Sequence, residues 1–149
     1  MMIPSEAAFR ENPVGPTLTR EQLDAELKAQ GHWQGRYRLL MKLGSRMPAL
    51  APQWHKADAE VAGCESATWL YHQELEGRHY FLADSEARIV RGLLVLVLAA
   101  CNGRSSAELA QVGLDEWFRE LGLADHLSPS RASGLNAVVR QILAQADQI

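Results

Sequence analysis

Two cysteines, Cys64 and Cys101, are all that the 149 residues contain. They could form one disulfide but no disulfide framework, and they are too few and too far apart for a structural zinc site, which wants about four Cys or His ligands in close pairs. No apolar run reaches the roughly 18 residues that a membrane span needs. The opening MMIPSEAAFRENP lacks the basic-then-apolar order of a secretory leader, so the expectation is a cytoplasmic chain with reduced thiols. Positive charge is also scarce: a net charge of −3 and a pI near 5.9 leave no basic stripe to neutralise phosphates, which argues against nucleic acid as a partner. Glycine never clusters into a phosphate loop, because GLLVLVLAACNG carries glycine only near its ends and no Lys-Thr pair follows.

What is present reads as one globular domain, 47% hydrophobic and 22% charged. The segment 1–18 has prolines at 4, 13 and 16 and little periodicity, and is expected to be a loosely docked arm ahead of a domain over 19–149. Thr19 with Gln22 forms a capping box that opens a helix to about Gln30. Trp33, Tyr37, Leu40, Met41 and Gly44 recur at helical spacing until Pro48. A short third helix is expected from Pro52 to Val61, with Gly63 as its exit.

The composition then changes. ATWLYHQEL and RHYFLA flank Glu76-Gly77 and read as an antiparallel hairpin pairing Glu74 with His79. Trp69, Tyr71, Leu75, Tyr80 and Leu82 share one face, expected to be the core side, and His72, Glu74 and His79 share a solvated one. IVRGLLVLVLAAC is apolar nearly all round and predicts a central buried helix stopped by Asn102-Gly103. Ser105 with Glu108 repeats the capping box, a stripe runs through Leu114, Trp117, Phe118 and Leu121, and Ser128-Pro129 opens a last helix. Helices, a small sheet, then helices again predict an α+β fold without βαβ units.

The chemistry narrows to Cys64. Cys101 ends the apolar helix and reads as a small hydrophobe with suppressed ionisation. Cys64 follows Gly63 on a loop, where a reachable nucleophile and a structural thiol are equal readings. No base lies beside it, and Glu65 opposes thiolate formation if close. A cysteine hydrolase needs His32, His55 or His126 brought to it from elsewhere.

GCESATWL, ADSEARIVRGLL and LSPSRASGL, in that order, resemble the SufE family of sulfur-acceptor proteins, and WQGRYRLLMKLGSRMPAL is similar to it as well. The wording DSEARIVRGLL and the N-terminal arm lean toward its CsdE branch. The resemblance implies a small antiparallel sheet packed on helices, and an acceptor cysteine, Cys64, that takes persulfide sulfur from a pyridoxal phosphate-dependent cysteine desulfurase for iron–sulfur cluster assembly or related sulfur trafficking. Gly63, Glu65 and Ser66 then form the supporting loop. Arg131, most simply a first-turn helix residue, is allowed a place near the transfer site. The cofactor belongs to the partner; this chain is expected to hold no cofactor and no metal, and a downstream sulfur acceptor is implied. Thr68 stands where the family usually carries valine, with a modest packing change expected. The competing readings are an iron–sulfur scaffold, for which two cysteines supply few ligands, and a stand-alone cysteine-dependent enzyme.

Overall fold

The computed structural model describes residues 2–147; Met1, which opens the expected span 1–18, and the last two residues, which close the expected span 19–149, lie outside the described residues. Along the chain run helices α1 (Glu6–Arg10), α2 (Arg20–Lys28) and α3 (Trp33–Leu43), strands β1 (Thr68–Leu75) and β2 (Arg78–Ser85), then α4 (Arg88–Cys101), α5 (Ser106–Leu109), α6 (Leu114–Glu120), α7 (Leu123–His126) and α8 (Pro129–Asp147). The two strands form an antiparallel hairpin, and the architecture is α+β, as the pattern predicts. Both expected capping boxes are made, at Thr19 with Gln22 and at Ser105 with Glu108. Each satisfies two backbone donors that a helix start otherwise leaves open.

Helix α4 is the centre of the fold. From Gly92 to Cys101 every residue is buried, because a helix apolar all round is stable only when packed on all sides. Gly92 permits the tightest of these contacts: a Cβ there would lie 2.0 Å from the Leu40 carbonyl oxygen, so α3 crosses α4 backbone to backbone. No helix among the described residues is long and apolar enough to cross a membrane.

The hairpin has the expected register, Glu74 opposite His79, and Glu76 and Gly77 both have positive φ at the turn, as a tight two-residue hairpin requires. Its faces are used differently from the expectation. Phe81 and Ala83, on the face assigned to solvent, join the main core around α4. The aromatic face, with Trp69, Tyr71 and Leu82, packs on a second cluster with Phe9, Leu50 and Ala59. Hence His79 is fully buried and His72 half-buried, and only Glu74 of that group is exposed.

The partner of that second face is the N-terminal segment. The segment expected to be loosely docked carries α1 and buries Phe9 and Val14. Asn12 donates to the Phe81 carbonyl and accepts from the Val14 amide. A five-residue helix shows little periodicity in sequence, which is why its docking could not be read there. The helix expected from Pro52 to Val61 is also replaced, by 3-10 turns at Pro52–Trp54 and Ala57–Ala59. The sheet captures this stretch: Tyr71 donates to the Trp54 carbonyl at 2.6 Å, His55 stacks on Trp69, and the Val61 amide donates to the Thr68 carbonyl. Those ties use groups that a continuous α-helix would need.

Candidate functional site

The loop carrying Cys64 is pinned at both ends. Upstream, the Val61 amide donates to the Thr68 carbonyl at 2.8 Å. Downstream, the Ala67 amide donates to the Glu86 carboxylate, and the Ala67 carbonyl accepts from the Glu86 amide and the Ser85 hydroxyl. Between these clamps Gly63 takes φ +91°, a backbone state that a side chain disfavours. Residues 62–66 therefore project from a fixed base.

The projection rests on α8. Half-buried Cys64 points its Sγ at the Gly134 carbonyl, 3.5 Å away. The three atoms nearest to a Cβ built on Gly134 all belong to Cys64, Sγ first at 3.4 Å. The absent side chain thus makes room for the sulfur. Beside it lies a cavity of about 110 Å³ that Cys64, Glu65, Ser66 and Thr68 share with Arg131 and Leu135 of α8 and Leu94 of α4. This volume is a fraction of the roughly 300–1,000 Å³ that small-molecule pockets occupy. It leaves room beside the sulfur for added atoms.

Burial pushes the Cys64 thiol up from the ordinary thiol value, the Thr68 hydroxyl pulls it down by hydrogen bonding, and the charge of Glu60 pushes it up again. Burial is the largest of the three, so the resting site favours the neutral thiol. Glu65 lines the cavity and is exposed, and the carboxylate whose charge opposes the thiolate is Glu60, also exposed. Cys101 is fully buried and pushed up to about 12, in accord with its reading as a hydrophobe.

Other expected groups are dispersed. His32 caps α3, His55 stacks on Trp69, and His126 stacks on Trp33; none lines the Cys64 cavity. His72 and His79 hydrogen-bond to each other at 2.8 Å, and His79 also meets the Ser106 hydroxyl. Among the described residues no three His, Cys, Asp or Glu side chains converge as a metal site. Arg131 sits exposed on the first turn of α8 and reaches the cavity rim.

Asp84, Ser85 and Glu86, just ahead of α4, serve the sheet and the Cys64 loop. No side chain caps α4. Buried Asp84 instead accepts from the Leu50 amide and pairs with Arg91, while Ser85 and Glu86 hold Ala67. Gly134 and Thr68 were the other participants that pattern reading missed. A glycine inside a helix costs about 1 kcal/mol relative to alanine, and that cost was the available signal at Gly134.

The family model described as "Fe-S metabolism associated domain", SufE, matches residues 21–146. The chain is 41% identical over 142 residues to the sulfur acceptor protein CsdE of Escherichia coli strain K12, covering 95% of this chain and 97% of that one. It is 36% identical over 118 residues to an uncharacterized SufE-like protein of Rhizobium etli, covering 76% of this chain and 80% of the relative. The solution structure of a hypothetical protein from Thermus thermophilus shares the fold, with a TM-score of 0.67 at 19% identity over 91% of this chain and 94% of that one.

Proposed function

The chain belongs to the SufE family, and from that premise we propose that it is a sulfur acceptor whose Cys64 takes persulfide sulfur from a cysteine desulfurase. The observation that carries this reading is the Cys64 sulfur itself. It stands on a clamped glycine loop, over a helix glycine, beside a cavity of about 110 Å³. The partner's pyridoxal phosphate supplies the cleavage of free cysteine that loads the donor. Cys64, as thiolate, attacks the terminal sulfur of the donor persulfide. One S–S bond forms to Cys64, the donor's S–S bond breaks, and the departing donor thiolate takes up the proton that Cys64 released. No electrons are gained or lost overall.

Residues 62–66 turn outward between their clamps when the partner docks, because transfer needs sulfur-to-sulfur contact. The cavity then shelters the loaded sulfur from stray thiols. Among the described residues no histidine, as a cysteine enzyme would need, and no second cysteine, as a scaffold would need, lines the cavity with Cys64.

The test is intact mass after incubation with a cysteine desulfurase and free cysteine, with peptide mapping. Sulfur added on the Cys64 peptide, and lost in Cys64→Ser, is the expected result. Sulfur found on another residue, or undiminished in Cys64→Ser, would overturn the reading.

A further inference from the structure

Residues 62–66, which carry Cys64, have few ties of their own. Among the described residues, their hydrogen bonds are the Cys64 sulfur to the Gly134 carbonyl and the Thr68 hydroxyl to the Ser66 carbonyl at 3.1 Å. One residue on, Ala67 is held from several sides. Its carbonyl accepts from the Ser85 hydroxyl at 3.0 Å and from the Glu86 amide at 3.1 Å, which uses both lone pairs, and its amide donates to the Glu86 carboxylate. The chain therefore passes from free to fixed between Ser66 and Ala67.

Ser85 makes that boundary sharp. It is 4% exposed at the end of β2, and its hydroxyl is fully used. The one proton goes to Ala67, and the oxygen accepts from the Ala87 amide at 3.3 Å and lies 3.1 Å from the Thr68 hydroxyl. The Ser85 amide donates to Asp84, a buried carboxylate that pairs with Arg91 and accepts from the Leu50 amide. The Ser85 hydroxyl thus joins the end of the loop to the entry of α4, with the core anchored behind it. The tie on Ser66 is different in kind. The Thr68 proton has two acceptors at equal distance, so when Ser66 moves away it turns to Ser85, and no buried hydroxyl is left without a partner. The Ser85 bonds to Ala67 and Ala87 do not pass through Thr68, so they stand equally with a valine in its place.

We propose that Ser85 is a positioning residue for sulfur transfer: its hydroxyl is the fixed post of the Cys64 loop, so that opening stops at Ser66 and carries the sulfur outward without parting β1 from β2. The assignment deepens the acceptor reading and rests on it for its purpose. Ser85 itself forms and breaks no covalent bond.

The test is amide hydrogen exchange by mass spectrometry of overlapping peptides, beside the kinetics of sulfur transfer from a cysteine desulfurase, in the full chain and in its Ser85→Ala and Ser85→Thr variants. In the parent, exchange is expected to be fast in 62–66 and slow from Thr68 onward. Equal protection on both sides of that boundary would overturn the proposal, and this measurement needs no variant to fold. Ser85→Ala is expected to raise exchange in 68–71 about tenfold more than in α4, the factor that about one net hydrogen bond carries. An equal rise in both regions would make Ser85 a general stabiliser and overturn the hinge. The maximal rate of transfer is expected to fall by a similar factor at unchanged KM, because a buried residue does not touch the partner. A parental maximal rate in folded Ser85→Ala would also overturn the proposal. Ser85→Thr keeps the hydroxyl and is expected to follow the parent in both readouts; a folded Ser85→Thr that follows Ser85→Ala would count against the hydroxyl. Should the parent take no sulfur from a desulfurase while the exchange difference is present, the post stands and the acceptor reading fails.

Discussion

At the residue scale the site is defined by one atom and the groups that border it. Gly134 places no side chain against Cys64, and the three nearest atoms to a Cβ built there all belong to Cys64. Gly134→Ala should therefore leave the rest of α8 undisturbed and gain up to about 1 kcal/mol from helix propensity. The same methyl takes the space beside Sγ. Sulfur loading is expected to slow roughly tenfold, the rate equivalent of about 1.4 kcal/mol of crowding, while the melting temperature holds or rises. Loading rate by mass spectrometry beside a thermal melt checks both halves. Equal loading in the two proteins would mean that the sulfur does not use this space. The two thiols differ for a reason legible in sequence, since Cys101 ends an apolar helix and Cys64 follows a glycine. The identity of the neighbours of Cys64 was not legible, because Gly134 lies 70 positions away and only packing brings it near.

At the scale of elements the hairpin links two cores and supports the Cys64 loop. Its edge toward α5 is held by the His72–His79 hydrogen bond and by His79 with Ser106, at 2.8 Å each. Burial lowers the His72 pKa from the ordinary histidine value of 6.5, the neighbouring His79 lowers it further, and Glu74 works the other way. A folded pKa below the unfolded one means that the unfolded chain binds the proton more readily. The contribution of neutral His72 is therefore complete above about pH 6.5 and declines as pH falls through the depressed folded value. The urea midpoint should drop on acidification from pH 7 to 5, and His72→Gln should flatten that drop. An equal acid slope in both proteins would exclude His72 as its source. Period-two alternation and the Glu76-Gly77 turn were enough to predict the hairpin and its register. Which face would meet α4 was not, because the face with His72, Glu74 and His79 also carries Phe81 and Ala83, and the choice depends on where α4 and the N-terminal segment come to lie.

At the scale of the whole molecule, α4 is the common wall of the fold, and Cys101 lies at its buried end. With the Cys101 pKa pushed up from 9.0 to about 12, the unfolded chain ionises this thiol first as pH rises. The sign is opposite to that of His72: stability is complete below pH 9 and falls between about 9 and about 12. The loss reaches about 4 kcal/mol at full separation, from three pKa units at about 1.4 kcal/mol each. Cys101→Ala is expected to be less stable at neutral pH because of the space it leaves, yet to lose less on alkalinisation, so the two denaturation curves converge toward pH 11. Parallel curves would rule out Cys101 as the alkaline trigger. By itself the sequence determined the helix starts with capping boxes, the hairpin turn, the burial of α4 and the placement of Cys64 after Gly63. Each of these follows from interactions within a few residues or from the period of one element. Only the tertiary structure decided the docking of α1, the 3-10 turns at Pro52 and Ala57, the use of Ser85 and Glu86 as a clamp, and the meeting of Cys64, Thr68 and Gly134. These depend on contacts between distant parts of the chain, where the packing of whole surfaces overrides local preference.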